Sequence, residues 1–223
     1  MNVFFDLETI PGQPEYEIKA EIAKTISAPA QMQKQETISA WHNGEGKYAG
    51  VKDAAIDDKY RSTSFDAAVG EICSAAAIIR GEVIVHTGGN ERDIIKAFLD
   101  DVDSLCKERP PFFIGHYISG FDLGFLWRRC VVHNIRPAFK IPHNGRHGKD
   151  YFDTMIEWSG FKDRISQDNL CKALGIEGKP DGMDGSKVWD TYKAGDLQKI
   201  SDYNVDDVKK IEAIYNRLTF SES

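Results

Sequence analysis

The first ten residues, MNVFFDLETI, leave this chain little structural choice. Asn2 to Phe5 is an apolar, β-prone run that predicts a buried strand. Asp6 and Glu8 follow, two apart, and on a strand residues i and i+2 share a face. Two carboxylates side by side next to apolar residues are costly unless a cation neutralises them. Hard divalent cations such as Mg²⁺ and Mn²⁺ take oxygen ligands of this kind. Two solvated acids at a strand end give the same short pattern, so the rest of the chain has to decide.

Ile10-Pro11-Gly12 closes the strand with a turn. Residues 13–68 then read as an insertion of helices and loops. Ile18, Ile22 and Ile26 recur at helical spacing, a second helical stretch runs from about Ala30 to Trp41, and Val51 to Tyr60 predicts a third. The insertion either packs over a sheet edge or walls the acids, with Trp41 and Tyr48 available to stack on bases. Glu71–Ile79 and Glu82–Thr87 predict a hairpin about the Arg80-Gly81 turn. Asn90 caps a helix over Glu91–Lys107, which Pro110-Pro111 stops. Phe112–Gly115 is a short fourth strand, and the helix after it runs to about His133. Tyr151–Trp158 is a strand or strand-to-helix segment. Gln167–Leu174, Lys187–Lys193 and Asp196–Leu218 are helices. Strands of both connection types imply an α/β fold: a mixed sheet flanked by helices.

Composition narrows the function. A net charge of −7 argues against a protein that coats polyanions, yet an acidic cation site would itself contribute several of those charges. The four cysteines, Cys73, Cys106, Cys130 and Cys171, are too far apart for a C-x-x-C clip and read as reduced, buried side chains. No apolar run has the length of a membrane span, and the N-terminal one is short and interrupted by Asp6. The expected location is cytoplasmic, with no membrane partner.

Three further acids sit in apolar contexts. Asp122 follows Phe121 and precedes Leu123. Tyr203 and Asp207 are i and i+4 on the last helix, beside its apolar face of Val205, Val208, Ile211 and Ile214. Asp206 points elsewhere on that helix. Asp153 is either a fifth acid of the site or structural. Residues 136–149 form a basic loop, with Arg136, Lys140, Arg146 and Lys149 beside His143 and His147. That loop is either a solvated connection or a clamp on a phosphate backbone. The Asn144-Gly145 pair argues against His143 and His147 sharing a zinc ion.

Phe5-Asp6-Leu7-Glu8-Thr9, Phe121-Asp122 and Tyr203-x-x-x-Asp207 together resemble the three exonuclease motifs of the DEDD superfamily, in its DEDDy branch. The likeness is closest to the 3′–5′ proofreading domain of family B DNA polymerases and its stand-alone relatives. It covers about residues 2–218 and includes the Lys179-Pro180-Asp181 loop, the Gly185 to Val188 stretch and Tyr192-x-x-Gly195. The position that is usually Asn before Phe-Asp in that group is Tyr117 here, preceded by His116.

The resemblance implies a ribonuclease H-like fold, three antiparallel strands followed by parallel ones, in a single exonuclease domain over residues 1–223 with the 13–68 insertion. It implies two divalent cations, Mg²⁺ or Mn²⁺, held by Asp6, Glu8, Asp122 and Asp207, with Tyr203 orienting the attacking water. Leu7, Thr9, His116, Tyr117 and Phe121 would contact the substrate, single-stranded DNA, releasing nucleoside 5′-monophosphates. The alternatives are a 3′–5′ exoribonuclease and a non-catalytic nucleic-acid-binding module of the same fold.

Overall fold

A computed structural model describes residues 1–177 and 183–221. The Lys179-Pro180-Asp181 loop lies outside them. The chain divides into two compact units, Met1–Thr9 with Ile72–Ser223, and Ile10–Glu71.

The first unit is built on a mixed five-stranded sheet in the order β3-β2-β1-β4-β5. β1 (Asn2–Ile10) takes the central place that its apolar run predicts. β2 (Glu71–Ile79) is buried along nearly its whole length and forms an antiparallel hairpin with β3 (Glu82–Thr87). β4 (Phe112–Gly115) pairs parallel with β1, Phe4 opposite Ile114. β5 (Tyr151–Asp153) pairs parallel with β4, Asp153 opposite Gly115. The Tyr151–Trp158 segment is thus a strand that turns directly into a helix, α6 (Thr154–Ser159).

Helices cover this sheet. α4 (Glu91–Leu105) starts on the Asn90 side chain, which accepts from the Arg92 N–H at 2.9 Å. α5 (Asp122–Val132) follows β4. Glu91 is buried where α4 begins. Its carboxylate accepts from Ile72 N at 2.7 Å and Arg129 Nε at 2.8 Å, and also pairs with His133, tying the start of β2 to both helices. α7 (Gln167–Leu174), α8 (Val188–Lys193) and α9 (Leu197–Leu218) complete the unit. α9 lays Val208 and Ile211 on Phe4, Ala76, Ile78 and Ile114 of the sheet. Each such fully buried aliphatic side chain contributes about 1.5–3 kcal/mol. Gly88, at φ 76°, lets Leu197 come so close that a Cβ would sit 2.3 Å from its side chain.

The second unit holds α1 (Glu15–Thr25), α2 (Gln35–Asn43) and α3 (Val51–Arg61). α2 begins five residues later than its sequence suggests. Residues 30–34 offer only Ala30 and Met32 as apolar side chains, and a turn closed by Met32 N to Pro29 O occupies this stretch instead. Tyr60 is fully buried here, its hydroxyl accepting from Gln13 Nε2 at 3.0 Å, and Asp57 pairs with both Lys19 and Arg61. Trp41 is buried, so it offers no face to a base.

Candidate active site

The register of the sheet creates the site. β4 ends at Gly115, whereas β1 runs on to Ile10. The N–H groups of β1 beyond Phe5 therefore need another partner on the side β4 has left, because buried backbone donors are almost always bonded. Leu7 N finds it in Asp122 Oδ1 at 3.2 Å. The carboxylate that opens α5 is thereby tied to the β1 backbone at the residue that separates Asp6 from Glu8 in sequence.

Asp6 is half-buried, Glu8 and Asp207 are buried, and one carboxylate oxygen from each lies within 4.8 Å of the others. Asp207 comes from the far end of the chain. α9 brings it there because its apolar face docks on the sheet and Asn204, fully buried, donates to Ser74 Oγ of β2 at 2.9 Å. Gln167 Nε2 of α7 caps the Asp207 carbonyl at 2.8 Å. Three close carboxylates with hard oxygen donors fit a divalent cation and fit poorly without one.

Tyr203 is 9% exposed, and its hydroxyl donates to the Asp207 carboxylate. Burial, then the negative charges of Glu8, Asp207 and Asp6, push that hydroxyl well above the ordinary tyrosine range. It stays protonated, a hydrogen-bond donor rather than a base. Asp122 is not part of the three-carboxylate group. It is 4% exposed, and burial pushes its carboxyl up to about 8, opposed by the hydrogen bonds it accepts.

The loop from His116 to Phe121 is held from below by Asp153. That side chain is fully buried and accepts from Tyr117 N at 3.0 Å, Ser119 N at 3.1 Å and Ser119 Oγ at 2.7 Å, while capping α6 through Met155 N and Ile156 N. Of the two readings of Asp153, the structural one accounts for all of these bonds. Tyr117 adopts φ 59° in this loop, a costly conformation for a non-glycine residue, with the Arg164 guanidinium 5.0 Å from its ring. Gly120 is required beneath it, since a Cβ would lie 2.2 Å from the Tyr117 ring. Phe121 packs on Phe125 with ring centroids 5.1 Å apart.

Two expected substrate contacts look different here. His116 spends both ring nitrogens on the protein, on Thr154 Oγ1 and Ile165 O, each at 2.9 Å, so it is a pin for the loop. The Leu7 side chain is buried, and its visible role is its backbone N–H. Thr9 and Tyr117 remain partly exposed.

One neighbour was not foreseen. Lys210 is buried, pairs with Asp206, and holds its ammonium 3.8 Å from Asp207 Oδ1. In sequence it reads as one more solvated helix charge. The nearest signal is its spacing, i+3 from Asp207 and i+4 from Asp206.

Residues 72–222 match the family described as "Predicted 3'-5' exonuclease related to the exonuclease domain of PolB". The chain belongs to this family. The matched region holds Asp122, Tyr203 and Asp207; Asp6 and Glu8 precede it and meet Asp207 only in the fold. None of the curated protein sequences is a match. Among solved structures, the family B DNA polymerase from the hyperthermophilic archaeon Pyrobaculum calidifontis is similar in fold, with TM-score 0.59 and 14% identity over 98% of this chain. The chain spans only 24% of that polymerase. Among the described residues, no helix is long and apolar enough to cross a membrane.

Proposed function

We propose that this protein is a metal-dependent 3′–5′ exonuclease that hydrolyses the terminal phosphodiester of single-stranded DNA and releases nucleoside 5′-monophosphates. The observation that carries the reading is the meeting of Asp6, Glu8 and Asp207, from β1 and α9, within one ligand sphere. Membership of the exonuclease family supports it independently.

Asp6, Glu8 and Asp207 would hold one divalent cation, Mg²⁺ or Mn²⁺, and Asp122 would serve a second together with Asp6. Bound there, such ions supply Lewis acidity to the scissile phosphate and acidify a water for attack. Tyr203, protonated and tethered to Asp207, orients that water through its hydroxyl oxygen. Thr9 and Phe121, with the raised Tyr117 loop, would line the terminal nucleotide. Asp153 and His116 keep that loop from yielding when substrate enters.

The test is a time course on 5′-labelled single-stranded DNA with Mg²⁺, with Mn²⁺ and with EDTA. A ladder shortening from the 3′ end, dependent on metal and absent in Asp6→Ala and Asp207→Ala, is the expected result. No shortening of DNA or of a matched RNA would overturn the reading; shortening of RNA alone would move it to the exoribonuclease.

A further inference from the structure

We infer that a cationic strip running from α4 across residues 134–149 to the outer face of α5 is a second nucleic-acid contact. It would seat the phosphate backbone of a single strand away from the three-carboxylate centre. The inference rests on the exonuclease reading for its ligand class.

Within a chain of net charge −7, residues 136–149 carry four basic side chains and no acid. Arg136, Lys140, Arg146 and Lys149 are all exposed, and none of them forms an ion pair with a carboxylate among the described residues. A solvated connection would scatter such charges on a mobile loop, but this one is anchored. Phe139 packs on Phe113 of β4, Ile141 and Pro142 are buried, and Gly145 N closes a turn onto the Pro142 carbonyl at 2.9 Å. His147 is spent on Glu157 at 2.9 Å and on the Asp153 N–H at 3.1 Å. The anchors face inward and the cations outward, so the charges are presented at fixed places.

Two features at the ends of the strip extend it. On the α4 side, Arg136 lines a cavity of about 240 Å³ with Arg92 and Lys96; the one carboxylate on its wall is Asp100, which faces Lys96 at 3.5 Å. On the α5 side, His143 stacks on Trp127 with ring centroids 4.0 Å apart and planes 14° from parallel. Trp127 is 38% exposed, with exposed Arg128 beside it. Fixed cations on a loop that stacks against an exposed indole offer what a single strand needs: phosphates meet the charges and an unpaired base meets the ring.

The experiment is equilibrium binding of a fluorescent single-stranded oligonucleotide, in EDTA so that nothing is cleaved, over a series of salt concentrations. In the variant Arg136→Ala/Lys140→Ala/Arg146→Ala/Lys149→Ala, Kd should rise by about tenfold or more and the salt slope should flatten by about 2 to 3, at roughly 0.7 per phosphate contact. The swap Arg136→Lys/Lys140→Arg/Arg146→Lys/Lys149→Arg should keep both affinity and slope. Trp127→Ala should weaken binding by about fivefold with the slope unchanged, since stacking displaces no counterions. If the fourfold variant does not fold, Arg136→Ala/Lys140→Ala carries about half the slope change. Unchanged Kd and slope in the alanine variants would overturn the inference. So would a swap variant that loses as much as alanine, because position rather than charge would then matter. Hydrolysis of a nitrophenyl ester of thymidine monophosphate by the unaltered protein with Mn²⁺ reads the carboxylate centre separately. Its absence sinks the exonuclease reading, and the binding result still decides the strip.

Discussion

The backbone N–H of Leu7 donates to Asp122 Oδ1 at 3.2 Å, so the acid that opens α5 takes the place of the strand residue β4 does not supply. One carboxylate thus completes the hydrogen bonding of β1 at Leu7. Asp122→Asn keeps an acceptor for Leu7, whereas Asp122→Leu leaves a buried donor unpaired, a loss of about 1–3 kcal/mol. Both variants should lose hydrolysis by about a hundredfold or more, but only Asp122→Leu should unfold earlier in urea, measured in EDTA.

Asp206 is not the inert neighbour that its sequence position suggests. It holds the buried Lys210 ammonium, which also lies 3.8 Å from Asp207 Oδ1. Asp206→Ala should therefore still hydrolyse at saturating cation, but Lys210 would turn wholly to Asp207 and compete with the metal. The half-saturating Mg²⁺ concentration should rise about five- to tenfold, the size of an interaction of about 1 kcal/mol. Lys210→Met should shift it the other way. Complete loss in Asp206→Ala at any Mg²⁺ concentration would mean that the two aspartates have exchanged roles.

Asp153 receives five hydrogen bonds from the site loop and from α6. Asp153→Ala leaves one buried and several partly buried donors unmet and should cost about 3 kcal/mol or more. For a chain of this length, that lowers Tm by about 6–12 °C. Differential scanning calorimetry checks it, and a Tm within a degree of the parent would contradict the pinning role.

The four cysteines are free and buried. Burial pushes the Cys130 thiol up to about 12 and the Cys73 thiol well above its ordinary range. Thiolate is the reactive form, so at pH 8 the folded protein should take up a thiol reagent far more slowly than the urea-unfolded protein. Rapid labelling of all four in the native state would contradict their burial.

Much of this was legible in the chain. The apolar run of β1, the hairpin about Arg80-Gly81 and the cap at Asn90 are local signals, and each stands where the sequence places it. The Asp6/Glu8 spacing and the Tyr203/Asp207 pair follow from strand and helix periods alone. The rest depends on distance in space. Nothing around Leu7 announces that its N–H bonds a residue 115 positions away. His116 reads equally as a substrate contact or a structural histidine, and only the fold shows Thr154 and Ile165 using both nitrogens. Lys210 resembles solvent-facing charge until α9 is docked. The helix after Ala30 begins only at Gln35, because the residues before it have a fair helix propensity but no continuous apolar face to bury.

The three carboxylates that meet in this fold lie on the first strand and the last helix. Asp6 and Glu8 alone are two carboxylates on one strand, and the third arrives only when α9 docks on β1, β2 and β4. The cluster is therefore a reporter of tertiary order: whatever lifts α9 from the sheet dissolves it without touching β1.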